Sequence, residues 1–281
     1  MIAVIGASGR SGQALCRALR DRGAAYVPVV RDVAKWAATG LPGTPRVANL
    51  RDAPALQAAL DGANWVVNCA HARHVPAVLV AAPPDARFVF LGSTRRFSRW
   101  PDAHGDGVRA GEAAFLASGR QGVMLHPTMI YGAEGEDNVQ RLAALLRRLP
   151  FAPLPRGGRA LVQPIHQDDL TACILAVLDC DWPGPEAIVV AGPEAMPYRD
   201  FLAAVARAAG LHPPPVLPIP GAALAAAAPL TRLLPLLPTI RAAEVRRLME
   251  DKAFDVAPMR ERLGVTGRPL AEGLAMTFQR A

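Results

Sequence analysis

The chain has 281 residues, 51% apolar, 20% charged and 5% aromatic, with 31 Lys+Arg against 24 Asp+Glu. That length holds one large domain or two intertwined ones, and the apolar fraction excludes a disordered chain. The formal charge of +7 is modest and comes almost wholly from arginine, since Lys35 and Lys252 are the only lysines; composition bias, acidic substrates or an anionic membrane surface each account for it.

The four cysteines, Cys16, Cys69, Cys173 and Cys180, have no C-x-x-C spacing. They read as small, mainly buried side chains in a reducing compartment, with no zinc site. The run Met1-Ile-Ala-Val-Ile-Gly6 reads as a strand from the outset, so no signal peptide is expected. No uninterrupted apolar run reaches the length of a membrane span, and the expected location is cytoplasmic.

Along the chain, Ile2–Ile5 is a short apolar strand and 6–12 a glycine-rich turn. Residues 13–22 follow as a helix with Leu15, Ala18 and Leu19 on one face. Tyr26–Val30, 46–50, 65–69 and Arg87–Leu91 read as strands two to five, with a helix at 54–60. Residues 111–118 read as helix and 123–126 as a sixth strand. Strands apolar on both faces and separated by helices predict a parallel sheet covered on both sides, a Rossmann-type α/β fold. The second half changes character. Residues 150–158 form a Pro/Gly-rich connector, 168–178 a helix with an acidic first turn, 187–190 a strand and 198–209 a helix. Residues 211–220 are proline-rich, 222–237 are Ala/Leu-rich and broken by Pro229 and Pro235, and 240–249 are an amphipathic helix. There is no internal repeat. The expected organisation is interleaved: 1–137 plus 160–190 as the nucleotide-binding unit, 138–159 plus 191–281 as a smaller substrate or partner region.

The segment Gly6-Ala-Ser-Gly9-Arg-Ser-Gly12 follows a strand and opens a helix. Glycines at that spacing allow a tight turn and close approach to a pyrophosphate, which meets the free N–H groups and positive end of the helix. Ser8 and Ser11 belong to the same turn. The second strand ends on Arg31-Asp32. An arginine there suits a 2′-phosphate and Arg10 can reach the same group, which favours NADP(H) over NAD; the alternative leaves Arg31 in solvent and the ribose on Asp32. Asn49 and Leu50 end the third strand and would flank adenine. Cys69, Ala70 and His71 end the fourth and would line the cofactor, because open α/β sheets bind ligands at the carboxyl ends of their strands.

These residues resemble the short-chain dehydrogenase/reductase superfamily in its extended, atypical branch. The matching pieces are Gly6 to Gly12, Val89-Phe-Leu-Gly-Ser93, His126-Pro-Thr-Met-Ile-Tyr-Gly132, Gln163-Pro-Ile-His-Gln-Asp-Asp169 and Arg247-Leu-Met-Glu-Asp-Lys-Ala-Phe-Asp255. The chain is similar to NAD-dependent epimerase/dehydratase-like proteins that act on sugar nucleotides, and to the NADPH-binding accessory subunit of respiratory complex I. The resemblance implies that Pro127, Thr128 and Ile130 run beside the nicotinamide and that Ser93 is the catalytic Ser/Thr. It also departs from the superfamily. The usual Tyr-x-x-x-Lys pair is absent: four residues beyond Tyr26, Tyr131 and Tyr198 stand Val30, Gly135 and Leu202. Counting back from Gly111-Glu112, the places of that pair fall near His104 and Val108, and His126 stands where relatives carry arginine.

The substitute proton donors are His104, read as part of the glycine-rich loop 101–107, His71 or water; His71 and His74 lie just past the fourth strand, where one of them touches substrate or both are surface residues. Tyr131 resembles a packing residue. Asp168 and Asp169 suit a helix N-terminus, and His166 reads as a packing or hydrogen-bonding residue. For substrate the candidates are Thr94 beside Ser93, Asn138, and the Arg156-Gly-Gly-Arg159 loop, which by analogy with sugar-nucleotide enzymes holds a diphosphate or is simply exposed. The run 211–237 with Arg241, Arg246 and Arg247 fits a core segment, an apolar pocket wall, a partner surface or a peripheral membrane contact. No basic stripe interleaved with aromatics points to nucleic acid. Two functions stand: an NADP(H)-dependent reductase, dehydrogenase or epimerase acting on a sugar-nucleotide-like or lipid-linked substrate, or a non-catalytic NADPH-bound scaffold docking on a membrane complex.

Overall fold

The computed structural model describes residues 1–132, 138–227 and 242–279. In chain order, β1 (Ile2–Ile5), α1 (Arg10–Asp21), β2 (Tyr26–Val30), α2 (Val33–Ala37), β3 (Arg46–Val47), α3 (Ala53–Leu60), β4 (Trp65–Asn68), α4 (Val75–Ala81), β5 (Arg87–Leu91), α5 (Ala103–Ser118) and β6 (Gly122–Pro127) alternate strand and helix. Helices α6 (Asn138–Leu146), α7 (Gln167–Asp179) and α8 (Tyr198–Ala208) follow. The strand Pro185–Val190 joins the others in a seven-stranded parallel sheet, in the order Pro185–Val190, β6, β5, β4, β1, β2, β3.

The sheet is parallel and covered on both sides because its strands are apolar on both faces. Alternate residues serve separate cores. Val4, Val67, Val89 and Val123 pack on one face against Leu15, Cys16 and Leu19 of α1 and Leu170, Cys173 and Ile174 of α7. Ala3, Ile5, Val66, Phe88 and Phe90 pack on the other against Leu56 and Leu60 of α3, Val75 and Val78 of α4 and Phe115 of α5. From β1 the chain steps outward through β2 to β3; from β4 it steps the other way through β5 to β6. The carboxyl ends of β1 and β4 therefore diverge, which is where a parallel α/β sheet opens a crevice.

Three regions differ from the sequence expectation. Helix α5 begins at Ala103, eight residues earlier than expected, so His104 lies in the first turn of a helix and not in a loop. The glycines that disguise this turn allow close packing: a Cβ on Gly111 would lie 2.2 Å from the Ala72 carbonyl oxygen, and one on Gly105 would lie 2.9 Å from that of Arg95. Helix propensity is overridden by tertiary contact. The third strand is only Arg46–Val47, an edge strand hydrogen-bonded to β2 alone; Asn49 turns the chain by accepting the Arg51 N–H on its side chain. Finally, the 150–158 connector contains a strand, Ala152–Pro155, paired in parallel with Val216–Ile219 from the proline-rich run. Pro153 and Pro155 alternate with Ala152 and Leu154, so the missing N–H groups fall on the side away from the partner.

Residues 228–241, including Pro229, Pro235 and Arg241, lie outside the described residues. No described helix is long and apolar enough to cross a membrane.

Candidate functional site

The glycine turn is built by close approach. Gly6 has φ 75° and donates its N–H to Val29 O at 3.0 Å, while Gly9 donates to Gly6 O at 2.8 Å. A Cβ on Gly12 would stand 2.2 Å from Gly6 O and 2.8 Å from Ala7 Cα, and one on Gly6 would stand 3.2 Å from Ala70 N. Helix α1 thus starts hard against the β1 turn, which itself abuts the end of β4. Gly9 caps α1 without a side chain, and the first turn holds no acid. Its leading N–H groups and the positive end of the helix lie at the glycine turn, and a helix start of this kind suits an anion.

Below this turn lies a cleft of about 560 Å³ at the carboxyl ends of β1, β2 and β4. Of the residues singled out from the sequence, Gly6, Ser8, Gly9, Arg31, Asn49, Leu50, Cys69, Ala70 and His71 line it together. Arg10, Ser11 and Gly12 do not. Ser11 instead donates its hydroxyl to Gln167 Oε1 at 2.9 Å, tying α1 to α7. Three cations that the sequence reading missed, Lys35, Arg51 and Arg73, also line the cleft with Arg31 and His74. The available signal was position: Lys35 lies in the helix that Asp32 caps, and Arg51 follows the Asn49 turn. Asp32 is the single carboxylate in the lining, and its Oδ1 accepts the Lys35 N–H at 3.0 Å as the N-cap of α2. The side chains of Arg31, Lys35, Arg51 and Arg73 make no ion pair among the described residues. His74 is held below its ordinary pKa by burial and by Arg73 and Arg51.

The ends of β5 and β6 form a neighbouring polar shelf outside the lining of that cleft. Ser93 donates its N–H to His126 Nδ1 at 3.2 Å, and its Oγ accepts the Arg95 N–H at the start of the 3-10 turn Thr94–Phe97. Thr94 Oγ1 donates to Pro127 O at 3.2 Å, and Thr128 Oγ1 to Gln163 O at 2.5 Å. Ile130 pairs with Ile165 in a short parallel bridge. Behind the shelf, buried Glu112 of α5 places Oε2 2.6 Å from Arg96 Nε and 3.1 Å from His126 Nε2, so the Arg96 guanidinium offsets its charge.

His104 reaches the edge of this region from α5. Its Nδ1 lies 3.1 Å from Nε2 of His71. Burial, then His104 and Arg73, push His71 down to about 4; burial and Arg95 also lower His104. Asp102 caps α5 through Gly105 N–H and pairs with Arg95 at 2.8 Å and Arg247 at 2.9 Å. Val108, one turn beyond His104, is 1% exposed.

The remaining candidates are elsewhere. Arg156 and Arg159 border a separate hollow of about 320 Å³ with Met249 and Asp251. Asn138 is not part of it and donates Nδ2 to Ile130 O at 2.9 Å. Tyr131 is buried against the His166 ring, and burial raises its pKa. His166 Nδ1 accepts the Asp168 N–H as the cap of α7, and Asp169 binds Arg268 Nε at 2.9 Å. Arg246 lies over the Trp100 ring.

Residues 2–94 match the family model described as the NAD dependent epimerase/dehydratase family. No curated protein matches the chain by sequence. Solved structures match over nearly its whole length. An NADPH-dependent quinone oxidoreductase from Escherichia coli, complexed with NADPH, superposes with a TM-score of 0.75 at 20% identity, over 99% of this chain and 100% of that one. MoeE5, in complex with UDP-glucose and NAD, gives 0.73 at 18% identity over 99% and 97%. A short-chain dehydrogenase/reductase superfamily protein from Agrobacterium tumefaciens with bound NAD gives 0.72 at 17% identity over 100% and 97%. Residues 2–94 thus match the NAD dependent epimerase/dehydratase family model, and the described residues share the Rossmann-type fold of these solved structures.

Proposed function

We propose that the chain binds NADP(H) and works as a nicotinamide-dependent oxidoreductase or epimerase. The observation that carries this is the cleft at the carboxyl ends of β1, β2 and β4, which Arg31, Lys35, Arg51 and Arg73 all line while the Asp32 carboxylate is engaged as a helix cap. A cleft so charged favours a ligand with an additional phosphate, and a planar guanidinium grips that phosphate two-toothed. The fit of a dinucleotide rests on the cradle itself: a side chain at Gly12 would collide with the turn. Gly9 and the start of α1 would hold the pyrophosphate, Arg31 with Lys35 and Arg51 the 2′-phosphate, and Asn49 and Leu50 the adenine. Pro127, Thr128 and Ile130 would border the nicotinamide. When bound, such a cofactor supplies or takes up a hydride. Ser93 and Thr94 would bind the reacting oxygen, and His104 would stand in for the missing tyrosine. Two supports point to a sugar-nucleotide-like substrate: the fold is shared with a protein bound to UDP-glucose, and the Arg156–Arg159 loop offers guanidinium groups for a diphosphate.

Paired titrations with NADPH and NADH test the reading. NADPH should bind at least 10-fold tighter, and Arg31→Ala should weaken NADPH about 10- to 100-fold, the value of one or two charge-assisted hydrogen bonds, while NADH changes less than about two-fold. Equal affinity for the two dinucleotides would sink the proposal.

One observation favours a second reading, the NADPH-bound scaffold: Val108, near where counting back from Gly111-Glu112 puts the lysine of the superfamily's pair, is buried in the core. Incubation of the NADPH-loaded protein with sugar nucleotides, quinones and aldehydes separates the two. Net oxidation of NADPH, or conversion of a sugar nucleotide to its epimer, supports the enzyme; neither, with NADPH retained through gel filtration, supports the scaffold.

A further inference from the structure

His71 leaves the end of β4 and His104 sits in the first turn of α5, 33 residues further on. Their ring centroids are 4.3 Å apart and the rings are nearly perpendicular, at 78°. A third group settles which nitrogens carry protons. The Arg73 backbone N–H donates to His71 Nδ1 at 3.0 Å, so Nδ1 is an acceptor and the proton of His71 is on Nε2. That Nε2–H faces His104 Nδ1 at 3.1 Å. His104 Nδ1 is then an acceptor too, and its own proton is on Nε2. We infer that His71 is a positioning residue that holds His104 in its Nε2–H form, so that His104 presents a single N–H donor to the oxygen of a carbonyl substrate. The substrate part of this inference rests on the oxidoreductase reading above; the proton arrangement does not.

The surroundings keep the pair neutral. A further proton would have to enter at His104 Nδ1, on the side that faces the His71 N–H. Around the two rings stand Arg73 and His74 from the turn after β4, Arg95 from the turn after β5, and Arg247 from the C-terminal segment. The carboxylate that faces His104 among the described residues, Asp102, is shared between Arg95 and Arg247 and caps α5, whose positive end also disfavours imidazolium. A neutral imidazole fixed in one tautomer polarises a carbonyl by hydrogen bonding without having to be charged, and a donor aimed in advance costs no reorganisation when charge develops on the oxygen. The helix is shaped to admit the pair: a Cβ on Gly107 would lie 2.9 Å from His71 Cε1. Gly107 is what lets α5 come close enough for His104 to meet His71.

Two-bond proton–nitrogen correlation spectra of protein labelled with nitrogen-15 in histidine test the arrangement without any turnover. His71 and His104 should both show the Nε2–H pattern at pH 7. In His71→Ala, and in Gly107→Ala, where both imidazoles remain but are pushed apart, His104 should shift to a mixture of tautomers. In His104→Ala the titration of His71 should move up. An Nδ1–H pattern at His104, an unchanged His104 in both variants, or a joint shift of both rings on adding one equivalent of Zn²⁺ would overturn the inference, the last by making the pair a metal site. Once a carbonyl substrate is turned over, Gly107→Ala should lower kcat about 10-fold with the KM for NADPH within two-fold, and His71→Gln, whose amide N–H can replace the donor, should recover part of the loss seen in His71→Ala. A kcat unmoved by His71→Ala would remove the catalytic half. Absence of NADPH binding would instead count against the functional reading and leave the tautomers as observed.

Discussion

Replacing Gly12 by alanine sets two opposed effects against each other at one atom. Gly12 is the third residue of α1, where helix propensity alone would make alanine the better residue by up to about 1 kcal/mol. The added Cβ, however, would lie 2.2 Å from Gly6 O, 2.8 Å from Ala7 Cα and 2.9 Å from Gly6 C, all backbone atoms of the turn. Carbon and oxygen reach ordinary contact more than an ångström further out, so α1 must slide or the turn must open by about 1 Å. Overpacking of this kind costs about 1–3 kcal/mol, and here no flexible side chain can yield. Sterics outweigh propensity, and Gly12→Ala should lose about 1–2 kcal/mol by urea unfolding. Gly9→Ala is the internal control. Its Cβ meets only Gly6 O, at 3.1 Å, so a few tenths of an ångström of relaxation suffice and the loss should stay under about 1 kcal/mol. Isothermal titration with NADPH reads the functional consequence: displacement of the α1 N-terminus should weaken binding by at least 10-fold in Gly12→Ala, and less in Gly9→Ala. Wild-type unfolding and wild-type affinity in Gly12→Ala would refute the view that the helix is seated against the turn to receive a pyrophosphate.

Asp102 should carry a pH signature. Burial works against its charge, but Gly105 N–H, Arg95 and Arg247 outweigh it and hold the carboxyl below its ordinary value. The stabilisation is therefore present above the ordinary carboxyl pKa of about 4 and is lost as the pH falls through the depressed value. Asp102→Ala should cost about 1–2 kcal/mol at pH 7, mostly for the helix cap because the ion pairs are partly solvated, and the gap from wild type should narrow below about pH 4; a gap that stays constant down to pH 2 contradicts this. Burial raises the thiols of Cys16, Cys69 and Cys173, the last two to about 12. A thiol-exchange reagent at pH 8 should therefore leave the buried Cys16 and Cys173 unmodified until the chain unfolds; fast labelling of either in the native protein would show that the core around it opens.

Apolar runs separated by helical stretches determined the sheet. A strand that must be buried on both faces has few places to go, so β1, β2 and β5 were legible at their observed bounds and the parallel fold with them. The glycine turn was equally legible, because its close backbone approaches leave no room for another residue type at Gly12. What stayed hidden depends on contacts between distant segments. The first turns of α5 looked like a loop, since Gly105, Gly107 and Gly111 are poor helix formers; only the nearness of the Arg95, His71 and Ala72 atoms explains why no larger residue stands there. The cations of the cleft, Lys35, Arg51 and Arg73, come from three separate turns, and nothing in their local sequence distinguishes them from solvated arginines and lysines. The pairing of His71 with His104 needs the turn after β4 packed against α5, and the Asp102 cluster needs the C-terminal segment folded back on α5. Local sequence decides which segments are strands or helices, because burial and backbone propensity act within a few residues; which charges meet is decided by the crossing of elements, a property of the assembled sheet alone.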